Sequence, residues 1–325
     1  MHRPPTVPED VSVSPLVPIV WPEGRSFAFS VFDDPDRGTL QTVPHVYGLL
    51  RDLGLRTTQA VWPLQGLREP AVVGGTTCAD PAYLAWVKEL QGEQFEIGLH
   101  NVTYHSSTRE ETERGLGRFV ELFGHAPRAF ANHTSCREGI YWGPSRVSGV
   151  HRIIYGALTR FRGRGWFQGH VPGSPYFWGD LCREHVDYVR NFTFAEIDTL
   201  DACPWMPYFD PDRPWVKAWF AASEGAECPS FVQTINECAQ DRLEASGGAC
   251  IMYAHFGKGF YQNGALDRRF VELMTRLARK RGWFVPVSTL LDHIVRVRGV
   301  HTLTARDRAR LERRWLAHKI AARWR

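Results

Sequence analysis

SFAFSVFDDPD, residues 26–36, is the stretch on which the fold turns. Residues 26–32 form a continuous apolar run without helical spacing. It stops at Asp33-Asp34-Pro35-Asp36, a cluster of turn-forming and charged residues. Such a run reads as a strand buried on both faces, of the kind found in parallel sheets. Neighbouring residues on an extended chain point to opposite sides. Two carboxylates at the strand end, Asp33 and Asp34, can therefore do two jobs, one as a metal ligand and one as a base. A solvated acidic turn is the plainer reading of the same residues.

Outward from this strand, apolar runs and helical patterns alternate. Residues 43–53 have helical periodicity and stop at Gly54, and residues 55–62 read as the next strand. Asp80-Pro81 is an N-cap followed by proline at the first helical position. Residues 94–99 form a third strand that runs directly into His100. A capping box in 107–111 opens a helix through Leu122, and 127–132 is a fourth strand. The segment 133–230 is rich in Gly, Pro, Trp and Tyr; a helix near 146–161 and strands near 186–194 are expected in it. A second capping box at 234–237 opens a helix to about residue 245. Residues 249–255 are a strand ending in His255. An amphipathic helix over 266–281 is closed by Gly282, followed by a last strand (283–287) and a helix (289–297). Strands recurring with helices between them signal parallel βα units. Their strand ends face one shared mouth, and Asp33, Asp34, His100, Asn132, His133 and His255 all stand at such ends.

Composition narrows the function. The 325 residues carry a formal charge of +4, unevenly spread. The last 30 residues hold ten Lys and Arg against Asp307 and Glu312, and the remainder holds 29 basic and 33 acidic residues, net −4. A basic nucleic-acid-binding body is disfavoured, so no nucleic acid partner is expected. No run is long and apolar enough to span a membrane, and residues 1–24 lack the apolar core of a signal peptide, so a cytoplasmic location is expected. The seven cysteines are scattered without a CxxC, which reads as reduced thiols and excludes a Cys-rich zinc module. The 12 Trp and 10 Tyr suit either sugar stacking or core packing. Trp142, Trp166, Trp178, Trp205, Trp215 and Trp219, with Tyr176, Tyr208, Asp198 and Asp201, are the candidates in the middle segment.

His100 and His105 lie close enough in sequence to share one metal ion through neutral ring nitrogens. His255 at its strand end suits a general acid, or a satisfied core histidine. Five segments, FSVFDD (29–34), EIGLHNVTYHS (96–106), PRAFANH (127–133), IMYAHFG (251–257) and GWFVPVSTLLDHI (282–294), stand in the order found in the NodB-homology polysaccharide deacetylases, carbohydrate esterase family 4. The chain resembles that family over about 270 of its 325 residues.

The resemblance implies a distorted (β/α) barrel with a divalent metal, most often zinc, at its mouth. It implies Asp33 as general base, Asp34, His100 and His105 as metal ligands and His255 as general acid. Catalysis would be removal of an acetyl group, most readily N-acetyl, from a sugar or polysaccharide precursor. The metal would polarise the acyl carbonyl and acidify water. The sequence also departs from the family pattern. Tyr104 occupies the i+4 position where the family has its second histidine, and His105 follows it. Ala131, Asn132 and His133 stand where an arginine and prolines are usual, with Arg137 as a replacement arginine or His133 as an extra polar or metal-binding group. Tyr253-Ala254 precede the late histidine. Asn132, His133, Arg137 and Tyr253 are therefore assigned to the substrate. Two other readings compete: an inactive barrel that binds a glycan or a partner protein, and a non-haem iron protein using Asp34, His100 and His105.

The expected organisation is a Pro-rich arm (1–25), a barrel (26–298) with an insertion at about 134–230, and a basic C-terminal helix (299–325). In that helix Leu311, Trp315, Leu316, Ile320 and Trp324 form an apolar stripe opposite the arginines. The stripe suits packing on the barrel, a partner chain, or peripheral contact with an anionic membrane.

Overall fold

The apolar run after Ser26 is strand β1 (Phe27–Asp33), buried along its whole length. The computed structural model describes residues 17–70 and 72–323, so most of the expected N-terminal arm lies outside the described residues. Further strands are β2 (Thr58–Val61), β3 (Glu96–Leu99), β4 (Ala129–Phe130), β5 (Tyr188–Phe194), β6 (Tyr208–Phe209), β7 (Ala218–Ser223), β8 (Ala249–Ala254), β9 (Tyr261–Gln262), β10 (Ala265–Leu266), β11 (Gly282–Phe284) and β12 (His301–Thr302). Seven of them close a barrel in the order β1-β2-β3-β4-β5-β7-β8 and back to β1, every pair parallel. Helices on the outside cover the strands, which explains the near-continuous apolar runs.

The barrel is distorted at β1. Its C-terminal end pairs with β2 only through Phe32 and Asp33, whereas Phe27–Phe29 pair instead with β11. The sheet thus splits at the base between β1 and β2. The split is stitched by polar groups: Thr58 Oγ1 donates to Glu96 and accepts from the Val287 N–H that starts the helix Val287–Arg298. The N–H of Ser288 donates to the same Glu96 carboxylate.

Several local expectations hold. Asp80 caps the helix Pro81–Gly92 by accepting from the N–H groups of Ala82 and Tyr83. Thr108 and Glu111 form a reciprocal capping box on Arg109–Phe123. Others shift. Thr234 ends the helix Cys228–Thr234, and the next helix, Glu237–Ser246, is capped by Asn236 instead. Gly282 opens β11; the preceding helix, Arg268–Ala278, has already ended. The segment 134–230 holds two barrel strands, β5 and β7, besides its helical excursions. Trp178, Trp219 and Tyr208 are fully buried there, as core.

The basic C-terminal helix, Ala305–Arg323, lies on the barrel. Leu311, Trp315 and Leu316 are buried, with Trp315 against Tyr155 and Phe192. Glu312, also buried, accepts from the Ser148 N–H and hydroxyl, His151 and Arg213. Leu311, Trp315 and Leu316 of the stripe therefore pack within the chain, whereas Ile320 is exposed. Trp324 lies outside the described residues. No helix among the described residues is long and apolar enough to cross a membrane.

Candidate active site at the barrel mouth

Parallel strands deliver their C-terminal residues to one end. β1 brings Asp33, Asp34 and Asp36; β3 brings His100; β4 brings Asn132 and His133; β8 brings His255. These ends surround a cavity of about 380 Å³, which Asp34, Asp36, His100, His133, Tyr253 and His255 line. Arg190, from within β5, reaches the same cavity.

Asp33 is not on the cavity wall. Its Oδ1 accepts from the Phe256 N–H at 2.7 Å and its Oδ2 from the Tyr47 hydroxyl at 3.2 Å. Burial pushes its carboxyl well above the usual carboxylate range. It ties β1 to the turn after β8. Asp34 is gripped by both guanidinium arms of Arg190, Nη1 to Oδ1 at 2.9 Å and Nη2 to Oδ2 at 2.6 Å. Burial alone would raise the Asp34 carboxyl, but Arg190 together with His100 and His255 outweighs it and holds the group below its ordinary value. Arg190 is itself fixed between aromatic faces, 4.3 Å over Tyr253 and 5.1 Å over Phe32.

Asp36, His100 and His133 converge. His100 Nε2 is 3.1 Å from His133 Nδ1, and Asp36 Oδ1 is 3.4 Å from each. All three residues are buried. His133 donates its Nε2–H to the Val73 carbonyl at 3.1 Å, which leaves Nδ1 as a bare lone pair. Asp36 Oδ1 has no hydrogen-bond partner. Burial opposes a charged Asp36, but the surrounding imidazoles more than reverse this and hold its carboxyl far below the usual range. Burial also lowers the His100 pKa, which favours the neutral form a ligand needs. Tetrahedral ligands at about 2.0–2.1 Å from a zinc ion stand roughly 3.3–3.4 Å from one another. The observed triangle has that size, so these residues fit a divalent metal.

His105 is not brought to this cluster. Its Nε2 accepts from the Leu67 N–H at 3.0 Å and its Nδ1–H donates to the Ser106 carbonyl. Both nitrogens are spent on backbone, and the ring lines a separate small cavity beside Leu67 and Arg114. Tyr104, one residue earlier, stacks edge-on against Trp62. Asn132 lines the mouth cavity but uses its amide on the backbone of Ile140, in both directions. Arg137 is off the cavity wall, 4.7 Å over Trp166 and bonded to the Tyr176 hydroxyl.

His255 donates Nδ1–H to the Ala226 carbonyl at 2.6 Å, so Nε2 faces the cavity. There it meets the Tyr253 hydroxyl at 3.1 Å and Asp36 Oδ2 at 3.3 Å. The Lys258 ammonium is 3.2 Å from the same Asp36 oxygen. Behind the cluster, Asn101 accepts from the His133 N–H and donates to the buried Glu138. Sequence reasoning missed Asp36, Arg190 and Lys258 as site residues. Only Arg190 had a visible signal, a lone charged residue inside a strand rich in aromatic residues.

No family model matches the sequence, and no curated protein matches it. Solved structures do resemble it. A protein named as a polysaccharide deacetylase from Mycobacterium smegmatis is similar at a TM-score of 0.51 with 13% identity, covering 90% of this chain and 97% of that one. The allantoinase Puue follows at 0.49 and 12%, over 90% and 99%. A protein named as a polysaccharide deacetylase from Pseudomonas aeruginosa PAO1 is at 0.47 and 12%, over 91% and 100%. At these identities the likeness is one of fold. The chain shares the closed, parallel (β/α) barrel fold of the Mycobacterium smegmatis protein, with its own set of side chains at the mouth.

Proposed function

We propose that the protein is a metal-dependent hydrolase that removes an acetyl group from a sugar or sugar-containing precursor. The observation that carries this is the triangle of Asp36 Oδ1, His100 Nε2 and His133 Nδ1 beside a clamped carboxylate and a cavity-facing imidazole. The first three residues would hold a divalent cation, with zinc the best match to two nitrogens and one oxygen. When bound, the cation supplies Lewis acidity toward the acyl oxygen and makes water more acidic.

The remaining chemistry belongs to the chain's own groups. Asp34, not Asp33, is the general base in this reading. Arg190 occupies one lone pair on each Asp34 oxygen, and a carboxylate offers about four such sites, so acceptor capacity remains toward the cavity. The clamp fixes the carboxylate's orientation and keeps it ionised. His255 is the general acid: its Nδ1 is committed to Ala226, so the proton for the leaving amine or alcohol is delivered from Nε2. Tyr253 holds that nitrogen in place. Asn132 shapes the loop that presents His133. The same ligand set would accept iron, but an acid at His255 suits hydrolysis.

The test is acetate release from a panel of N- and O-acetylated sugars by zinc-reconstituted protein, with Asp34→Asn and Asp33→Asn beside it. Release that is abolished by chelation and by Asp34→Asn is expected. Release that survives complete metal removal would refute the reading. So would a reconstituted protein that frees no acetate from any acetylated sugar.

A further inference from the structure

The catalytic cavity is not closed on its outer side. Thr134, Trp142, Arg146 and Lys319 line both it and a larger groove of about 1060 Å³. That groove carries Arg146, Arg160, Arg162, Arg164 and Lys319 and has no acidic residue on its wall. Arg160, Arg162 and Arg164 make no ion pair with any described residue and are exposed. Arg146 stacks between Trp142, 3.2 Å from its ring centre, and Trp315, 5.6 Å away. Among the described residues it has no carboxylate partner, and its Nε is buried without a hydrogen bond. The catalytic cavity adds to the imbalance. Arg146, Arg190, Lys258 and Lys319 line it against Asp34, Asp36 and Glu224, before any metal charge is counted.

Lys319 pairs with Glu224 at 3.8 Å, so a neutral glycan would leave the four arginines here without a counter-charge. We propose that the substrate is an acetylated sugar carrying a phosphate or pyrophosphate ester, with the sugar in the catalytic cavity and the phosphates in the arginine groove. Arg146 sits at the junction, where its orphaned Nε can donate to the phosphate nearest the sugar. The three exposed arginines take the outer phosphate, since guanidinium forks match phosphate oxygens. This specifies the substrate of the reading above and rests on it for the catalytic half only.

The experiment measures binding and turnover separately. Binding to the zinc-loaded protein is followed by tryptophan fluorescence with inorganic pyrophosphate, N-acetylglucosamine, N-acetylglucosamine 1-phosphate, a nucleoside-diphosphate N-acetylglucosamine and a short-chain prenyl-diphosphate N-acetylglucosamine. The phosphate esters should bind about tenfold or more tighter than the neutral sugar, with an advantage that shrinks as salt rises. Arg160→Gln/Arg162→Gln/Arg164→Gln, all on an exposed loop, should remove most of that advantage, and Arg146→Gln should raise KM for the esters. The nucleotide and prenyl arms show which carrier bears the phosphates. The proposal is overturned if the neutral sugar binds as well as its esters, or if the triple variant binds pyrophosphate like the parent. Pyrophosphate bound through the arginines without any acetate release would uphold the groove and refute the hydrolase.

Discussion

Replacing His133 by alanine is the sharpest test of the metal centre, because His133 and His105 make opposite claims on it. His133 Nδ1 completes the triangle with His100 and Asp36, and its other nitrogen is anchored on Val73. Structural zinc sites with four ligands bind with about 10–16 kcal/mol, so one ligand is worth roughly 3–4 kcal/mol. His133→Ala should therefore weaken zinc by about 10²–10³-fold. His105→Ala should leave zinc affinity within about threefold of the parent. It removes the acceptor of the Leu67 N–H, so its cost falls on folding, about 1–2 kcal/mol. The assay is competition for Zn²⁺ against a chromophoric chelator at fixed pH, with Co²⁺ absorption as a readout of coordination and urea midpoints for stability. If His105→Ala loses the metal and His133→Ala keeps it, the proposed ligand set is refuted.

Other expectations follow from single contacts. Arg190→Met leaves Asp34 buried without its partner; a loss of about 3–5 kcal/mol in urea unfolding is expected, and the acidic limb of any pH–rate profile should move to higher pH. Burial pushes the Glu138 carboxyl up to about 7 against an ordinary 4.5. The native state then keeps a proton that the unfolded chain has lost, so this group lowers stability as pH rises from 4.5 toward 7, by roughly 3 kcal/mol in all. Glu138→Gln should flatten that slope in pH-dependent denaturation, and an unchanged slope would show that the carboxyl titrates normally. Trp315→Ala should cost about 3–5 kcal/mol in denaturant titration, because the ring is enclosed by Tyr155 and Phe192. A near-neutral result would mean that the C-terminal helix is not docked.

The barrel was legible because its strands are local apolar runs ended by polar residues, and β1, β2, β3 and β8 were found where the sequence placed them. β7, with the sequence AWFAAS, was not seen. Its alanines are poor markers of a strand, and only its neighbours β5 and β8 show that it belongs to the sheet. The site was legible by location and less so by role. His100 and His255 stand at the cavity as expected. His105 does not, because the extra residue after His100 turns its ring toward Leu67, and no spacing rule reports which backbone groups will claim a ring nitrogen. Asp36 escaped notice for the complementary reason: in sequence it looks like part of a solvated turn.

One geometric change links these departures. In the proposed arrangement both jobs expected of Asp33-Asp34 move along the chain, the base to Asp34 and the metal carboxylate to Asp36. Asp33 is the last residue of β1, and both its oxygens are consumed in closing the barrel onto Phe256 and Tyr47. It can no longer face the cavity, so the working carboxylates are those of the turn beyond the strand. Pro35 separates Asp34 from Asp36 and helps fix that turn, which sends one carboxylate to Arg190 and the other to the two imidazoles. With the metal carboxylate at Asp36, a cation would lie toward β4, and the ligand that can reach it there is His133, one of the three residues standing where the family pattern has an arginine and prolines. In the same arrangement the guanidinium that orients Asp34 comes from Arg190 on β5. The three substitutions form one coupled rearrangement, so reverting any one alone should not restore the family pattern. Arg190→Ala with Ala131→Arg should leave Asp34 unclamped, and recovery of wild-type acetate release by that double variant would refute the coupling.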